Sequence, residues 1–247
     1  MRIIGVYNIK GGVGKTATAV NLAFLSAQEG HRTLIWDLDP QAAATFYLRV
    51  KPKIKGGSRK MFRGKRELDG LIKGTDFENL DLLPAEFSYR NMDLMLSERK
   101  KPARQLLRLL RPLSEQFDNV ILDCPPNISL VSENIFRAAD ALLIPTIPGT
   151  LSIRAYHQLL DYLRENKVRG VDLMPFFSMV DRDKHLQAEV MQDMTASNPE
   201  MLSARIPYDG DVEKMGIHRA PVGEFAPQTN AWEAYRALWA EVKKRLK

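Results

Sequence analysis

The chain has 247 residues, 45% apolar and 27% charged, which is enough to bury a sizeable core in an ordinary water-soluble α/β protein. A single cysteine, Cys124, excludes an internal disulfide framework and a cysteine-rich metal site, and no run of about 18 apolar residues exists to cross a membrane. The formal charge of +6 is local: residues 49–66 hold nine Lys or Arg and no acid, and removing those nine charges leaves −3 on the other 229 residues.

Strand-like patterning begins almost at Met1, so no signal peptide is expected and the default location is cytoplasmic. Residues 3–7 read as a strand and 16–29 as a helix, followed by a strand over 33–37. The basic stretch 49–66, with Pro52, Gly56, Gly57 and Gly64, reads as an exposed loop or insertion. Beyond it come strands over 80–84, 120–123, 141–145, 173–180 and 202–206. Helices are predicted between them over 87–96, 103–116, 128–138, 152–166 and 186–193. This alternation predicts an α/β fold, a doubly wound and mostly parallel sheet with helices on both faces, in a single domain spanning 1–247. Trp232, Tyr235, Leu238, Trp239, Val242 and Leu246 form one stripe on a last helix. A membrane-surface helix ending in Lys243-Lys244-Arg245 is one reading. A helix docked on the core, its basic end suiting the dipole, is the expected one.

Ligands of such sheets bind beyond the carboxyl ends of the strands, where three motifs fall. In "NIKGGVGKTATAV", residues 8–20, Gly11, Gly12 and Gly14 let backbone N–H groups converge on phosphate oxygens. The following helix turns its positive end to the same anion. Lys15 suits the β- and γ-phosphates, and the Thr16 hydroxyl suits Mg²⁺. The spelling departs from G-x-x-x-x-G-K-[ST]: Ile9 replaces the first glycine, and a second lysine, Lys10, is added. In "TLIWDLDPQ", Asp37 and Asp39 alternate along a strand and are expected to point the same way, one toward a water and the other toward Mg²⁺ or the loop. Asp39-Pro40 also reads as a helix start. In "NVILDCPP", Asp123 ends an apolar strand where phosphate-loop NTPases carry a magnesium-directed acid, although Pro125-Pro126 suit a plain turn as well.

Taken together, Lys10-Gly11-Gly12-Val13-Gly14-Lys15-Thr16, Asp37-Leu38-Asp39-Pro40-Gln41 and Asp123-Cys124-Pro125-Pro126 resemble the deviant Walker A, A′ and B motifs of the ParA/MinD family of ATPases. The spelling is most similar to the ParA branch, and the likeness covers nearly the whole chain except 49–66. It implies a phosphate-loop NTPase fold using ATP and Mg²⁺, and a homodimer formed face to face around two nucleotides. Lys10 is then expected to reach the partner's phosphates like an arginine finger. Lys15 stays on its own nucleotide, with the backbone of Gly11, Gly12, Val13, Gly14 and Ala17 completing the phosphate contacts. Thr16, Asp123 and Asp37 are expected around the metal, and Asp39 at the attacking water. Ile9, Ala17 and Ser178 depart from common family spellings, and base contacts are assigned to Ser178 and Pro207.

The resemblance further implies non-specific DNA binding while ATP-bound, and release when a ParB-like or cargo-adaptor protein stimulates hydrolysis. The protein is then cytoplasmic and nucleoid-associated, with no membrane partner. The chain starts at its first strand, so sequence-specific repression through an N-terminal helix-turn-helix is not expected. Lys51, Lys53, Lys55, Arg59, Lys60, Arg63, Lys65 and Arg66 are the candidate phosphate-backbone contacts, with a surface for the partner protein as the rival use. Among other classes, a MinD-like membrane ATPase is not expected, since it needs an amphipathic tail beyond the last core helix, where this sequence stops. A nitrogenase-reductase-like carrier would need two cysteines per subunit where only Cys124 exists, and a tyrosine kinase of this superfamily should carry a C-terminal tyrosine cluster where Tyr235 stands alone. An ATP-dependent scaffold with negligible turnover stays open.

Overall fold

The computed structural model describes residues 1–52, 61 and 68–247. Its strands are β1 (Arg2–Val6), β2 (Thr33–Asp37), β3 (Lys73–Gly74), β4 (Leu80–Leu83), β5 (Asn119–Asp123), β6 (Ala141–Thr146), β7 (Asp172–Val180) and β8 (Arg205–Pro207). They form one sheet in the order β3-β4-β2-β5-β1-β6-β7-β8. Every pairing is parallel except β3 with β4 at the edge. The central strands TLIWD, NVILD and ALLIPT are buried at every position, as continuous apolar runs must be when both sheet faces are covered.

Alternate strand residues serve opposite faces. Leu34, Trp36, Val120 and Leu122 join a core covered by α3 (Met92–Ser97), α4 (Gln105–Leu110), α5 (Leu130–Ala138) and α6 (Thr150–Glu165). Ile4, Val6, Ile35 and Ile121 join the opposite core, covered by α1 (Lys15–Gln28) and by the C-terminal helix Asn230–Arg245. That last helix starts at a Thr229 cap and buries Trp232, Tyr235, Leu238, Trp239 and Val242. Trp239 Nε1 donates to Glu29 Oε2 of the chain after α1 at 3.0 Å. Its apolar stripe is therefore taken up by the core, which settles the docked reading. No described helix is long and apolar enough to cross a membrane.

Several boundaries differ from the sequence expectation. The first strand runs one residue earlier and ends at Val6, with Tyr7 donating its N–H to Leu143 O of β6 as the last rung of that pairing. The helix predicted over 87–96 is a 3₁₀ turn, Phe87–Asn91, followed by α3. That predicted over 103–116 is α-helical only in α4, with 3₁₀ turns at Pro102–Arg104 and Arg111–Glu115. Pro112 has no N–H to donate and cannot continue an α-helix. The helix predicted from 128 starts at Leu130, after Ser129 forms a capping box with Ser132. The strand predicted over 202–206 pairs only at Arg205–Pro207. Unforeseen elements are the edge strand β3, the short helix α2 (Ala43–Tyr47) and three one-turn helices between Gly210 and Phe225.

The last of those turns carries a tight contact. A Cβ added to Gly223 would lie 2.3 Å from Trp232 Cζ2, and the indole is itself buried with nowhere to retreat. Gly223→Ala is expected to destabilise the protein by about 2 kcal/mol through overpacking. The midpoint of urea unfolding measures this, and an unchanged midpoint would contradict the packing described.

Candidate functional site

The site is built by register. β5 lies between β1 and β2, and Asp123 pairs in register with Val6 on one side and with Asp37 on the other. Adjacent parallel strands stand about 4.8 Å apart, so two carboxylates are level with each other at the strand ends. Both are fully buried. The loop leaving β1 passes directly beside them and enters α1.

That loop is shaped from both ends. Asn8, buried just past β1, donates Nδ2 to Pro145 O at 2.8 Å and accepts the Lys10 N–H on Oδ1 at 2.8 Å. Gly12 and Gly14 adopt left-handed φ of 69° and 87°. A Cβ at Gly12 would meet nothing, so the loop there opens to solvent, whereas a Cβ at Gly14 would come within 3.0 Å of Ser178 Oγ. Only glycine suits position 14 on both counts. Gly14 caps α1 without a side-chain bond, so the helix start keeps its N–H groups aimed outward for an anion. Val13 is buried, Gly11 is exposed, and Thr16 and Ala17 are half-buried in the first turn of the helix.

Two lysines close the loop. Lys15 Nζ donates to Lys10 O at 3.0 Å, while Lys10 Nζ reaches Ser152 Oγ at 3.5 Å near the start of α6. Burial pulls Lys15 below the usual lysine range, opposed by the charges of Asp123, Cys124 and Asp39.

Asp37 and Asp39 occupy different environments, contrary to the expectation of two like-directed strand carboxylates. β2 ends at Asp37, and Asp39 lies in the turn beyond it. Asp37 Oδ2 accepts both the N–H and the hydroxyl of Thr45 in α2, at 2.8 and 2.7 Å. Asp37 Oδ1 accepts the Asp39 N–H at 3.2 Å. Both Asp37 oxygens are therefore engaged within the chain, and they hold the turn that presents Asp39. Asp39 uses one oxygen on the Gln41 N–H at 2.9 Å and is half-buried. Burial raises Asp37 to about 6 despite the Thr45 hydrogen bonds.

Among the described residues only Thr18, Arg99 and Asp123 leave a buried side-chain polar atom without a hydrogen bond, and Asp123 is the one carboxylate of the three. Neither of its carboxylate oxygens has a partner among the described residues, although both are buried. Burial first, and the neighbouring Asp37 second, push its pKa well above the carboxylate range, with Thr16 and Lys15 in partial opposition. A buried, unsatisfied carboxylate beside a second carboxylate calls for a cation. With the glycine cradle and the Thr16 hydroxyl, this donor set fits a magnesium-bound nucleoside polyphosphate.

Ser178 is buried against the loop at Gly14, and Pro207 ends β8, where it pairs with Val180. Of the eight candidate DNA contacts only Lys51 is described, and it is exposed. Lys53, Lys55, Arg59, Lys60, Arg63, Lys65 and Arg66 lie outside the described residues. The sequence reading missed Asn8, Thr45 and Ser152. Asn8 has a weak signal in its place one residue past a strand, while Thr45 and Ser152 become visible only through tertiary contact.

A family model described as an AAA domain matches residues 1–172, well over half of the chain. The sporulation initiation inhibitor protein Soj of Bacillus subtilis is 30% identical over 98% of both chains. The chain belongs to the ParA/MinD family. The chromosome partitioning protein ParA of Myxococcus xanthus is 29% identical, covering 99% of this chain and 88% of that protein. Among solved structures, cobyrinic acid a,c-diamide synthase from Mycobacterium smegmatis, with bound ATP analog and magnesium, superposes with a TM-score of 0.84. It is 26% identical and covers 100% of this chain and 96% of that one. The eight-stranded sheet and its phosphate loop are thus those of ParA-type proteins.

The raised carboxylates make a stability prediction. A carboxyl group whose folded pKa exceeds its unfolded value stabilises the fold when protonated, and this stability is lost as pH rises through the folded pKa. The ligand-free protein should therefore lose stability as pH rises from about 4 through about 6 on account of Asp37, with Asp123 extending the fall in the same direction. Asp123→Asn should flatten that fall and also cut the rise in Tm that magnesium-nucleotide gives the wild type. Thermal unfolding across pH, with and without ligand, measures both, and a wild-type pH slope in the variant would count against the assignment.

Proposed function

We propose that the protein is an ATP-dependent partition or positioning ATPase. Its ATP-bound sandwich dimer binds DNA without sequence preference and lets go after a partner stimulates hydrolysis. The observation that carries this reading is the convergence of the two-lysine loop, the unsatisfied Asp123 and the braced Asp39 at adjoining strand ends. Family membership supplies the rest of the support.

The chain's own groups have distinct tasks in this reading. The N–H groups of Gly11, Gly12, Val13, Gly14 and Ala17 cradle the phosphates, and Lys15 exchanges the Lys10 carbonyl for the β- and γ-oxygens. Thr16 and Asp123 hold Mg²⁺, with Asp37 supporting the metal's surroundings through the turn it braces. When bound, Mg²⁺ neutralises charge on the phosphate oxygens. Asp39 orients the attacking water, and Ser178 and Pro207 line the way to the base. Phosphoryl transfer depends on positioning and charge rather than on covalent help from the protein. A lysine delivered only by a second subunit therefore ties turnover to assembly. Lys10 is suited to that task, since it is half-buried and its ammonium group has, among the described residues, only a long contact to Ser152.

In the cell the dimer would sit on the nucleoid and carry a plasmid, a chromosome or a protein assembly, with a ParB-like or adaptor protein triggering release. The basic stretch 49–66 supplements the DNA surface.

Three substitutions test the assignments. Asp39→Ala should abolish turnover while preserving ATP-dependent dimerisation, read by phosphate release and light scattering; unchanged turnover would refute its role. Lys15→Ala should weaken nucleotide binding at least tenfold, about 1.4 kcal/mol or more. Lys10→Ala should leave most nucleotide binding intact yet impair dimerisation or hydrolysis, and equal loss of binding in both lysine variants would remove the distinction between them.

A further inference from the structure

A second basic surface lies outside both the nucleotide site and the stretch 49–66. Residues 99–111, "RKKPARQLLRLLR", hold six Lys or Arg and no acid, with Glu98 and Glu115 as the nearest acids on either side. Lys100, Lys101, Arg104, Arg108 and Arg111 are exposed. None of the five forms an ion pair or side-chain hydrogen bond with a described residue, whereas nine ion pairs among the described residues engage other Lys and Arg.

The backbone beneath these cations is pinned from inside. Asn134 of α5, itself buried, accepts the N–H groups of Gln105 and Leu106 on Oδ1 at 2.7 and 3.1 Å. Its Nδ2 donates to Pro102 O and Leu130 O, both at 2.8 Å. Gln105 Nε2 donates to the carbonyls of Lys100 and Lys101 at 2.8 and 3.0 Å, and Lys101 takes a left-handed φ of 57°. Two buried amides thus fix the entry to α4, so that Leu106 and Leu110 face the core and Arg104, Arg108 and Arg111 follow one another outside. The nearest described acids on the packing helices are engaged elsewhere: Asp93 accepts the Val131 N–H, and Glu133 pairs with Arg137.

We propose that the ridge of Lys101, Arg104, Arg108 and Arg111 docks on the phosphate backbone of double-stranded DNA, an inference that rests on the reading of this chain as a DNA-bound ATPase. Arg108 lies on α4, and Arg104 and Arg111 stand in the 3₁₀ turns at its two ends, a row of charges at four- and three-residue intervals suited to a row of phosphates. Arginine forks suit phosphate oxygens better than point charges do. A lipid surface would require a broad apolar face among the cations, whereas within residues 99–111 Leu107 is the one exposed large apolar side chain. Burying two amides to rigidify the base of the ridge lowers the ordering cost of docking.

The test uses the full chain with Mg²⁺ and a non-hydrolysable ATP analogue, and a labelled duplex of arbitrary sequence. The combined variant Arg104→Gln, Arg108→Gln and Arg111→Gln should bind the duplex at least tenfold more weakly. The slope of log affinity against log salt should become shallower by about 0.9 for each phosphate that the variant no longer neutralises. Nucleotide binding should remain at the wild-type level, which also reports that the variant is folded. A control variant, Arg2→Gln, Lys167→Gln and Arg169→Gln, removes the same charge from other exposed positions. Unchanged duplex affinity in the ridge variant, or an equal loss in the control, overturns the assignment. So does retained duplex affinity with lost binding of poly-glutamate, which would make the ridge a site for acidic protein. A wild-type chain that binds no duplex in any nucleotide state overturns the functional reading itself.

Discussion

Two buried carboxylates held level on neighbouring strands are the constraint around which this molecule is organised. Asp37 and Asp123 share a register position on β2 and β5, and neither is exposed to water. Such a pair is unfavourable in isolation, because burial and like charge both oppose ionisation. The protein resolves half of the problem internally. Asp37 receives two hydrogen bonds from Thr45 and one from Asp39. Asp123 receives none from the described residues. The unresolved half faces the glycine loop and Lys15, where a magnesium-bound phosphate group would complete it. The site is thus poised by a deficit rather than by stored contacts, in keeping with the way functional sites trade stability for chemistry.

The same constraint accounts for the environment of the turn that carries Asp39. Asp37 commits its oxygens to α2 and to the backbone of Asp39, so the turn after β2 hangs from a buried anchor. Thr45 continues the chain of bonds, since its hydroxyl also accepts the Ala85 N–H beyond β4 at 2.9 Å. Left-handed φ at Ala42 and at Arg49, 56° and 58°, bracket α2 on both sides. This segment joins the carboxylate end of the site to the start of the basic stretch. On the other side of β1, Asn8 ties the loop to β6 through Pro145, and Ser178 of β7 supports Gly14. Four strands therefore converge on one loop of a few residues.

Much of this was legible in order along the chain. The continuous apolar runs mark the buried parallel strands, because strands covered on both faces leave no position where a polar side chain meets water. Gly11, Gly12, Gly14, Lys15 and Thr16 are readable as a phosphate loop because their chemistry is local: the groups suited to a phosphate are neighbouring backbone groups and one helix start. The weaker readings fell where local and tertiary preferences compete. Residues 103–116 have helical periodicity throughout, yet Pro112 and the Asn134 clamp divide them into a short α-helix between two 3₁₀ turns. Asp37 and Asp39 look equivalent in a strand pattern and separate only when the strand ends between them.

By itself, the sequence determined the alternation of strands and helices, the identity of the phosphate loop and the presence of a second lysine, since each depends on residues adjacent in the chain. Tertiary structure alone decided which carboxylate is satisfied and which is left open. It also placed Lys10 beside Ser152, Ser178 beside Gly14, and a row of arginines without ion pairs to described residues over the buried Asn134. Each of these contacts spans from about thirty to well over a hundred residues of chain, and no local pattern encodes it. They follow from strand order and register, which bring distant residues to one height at one end of the sheet.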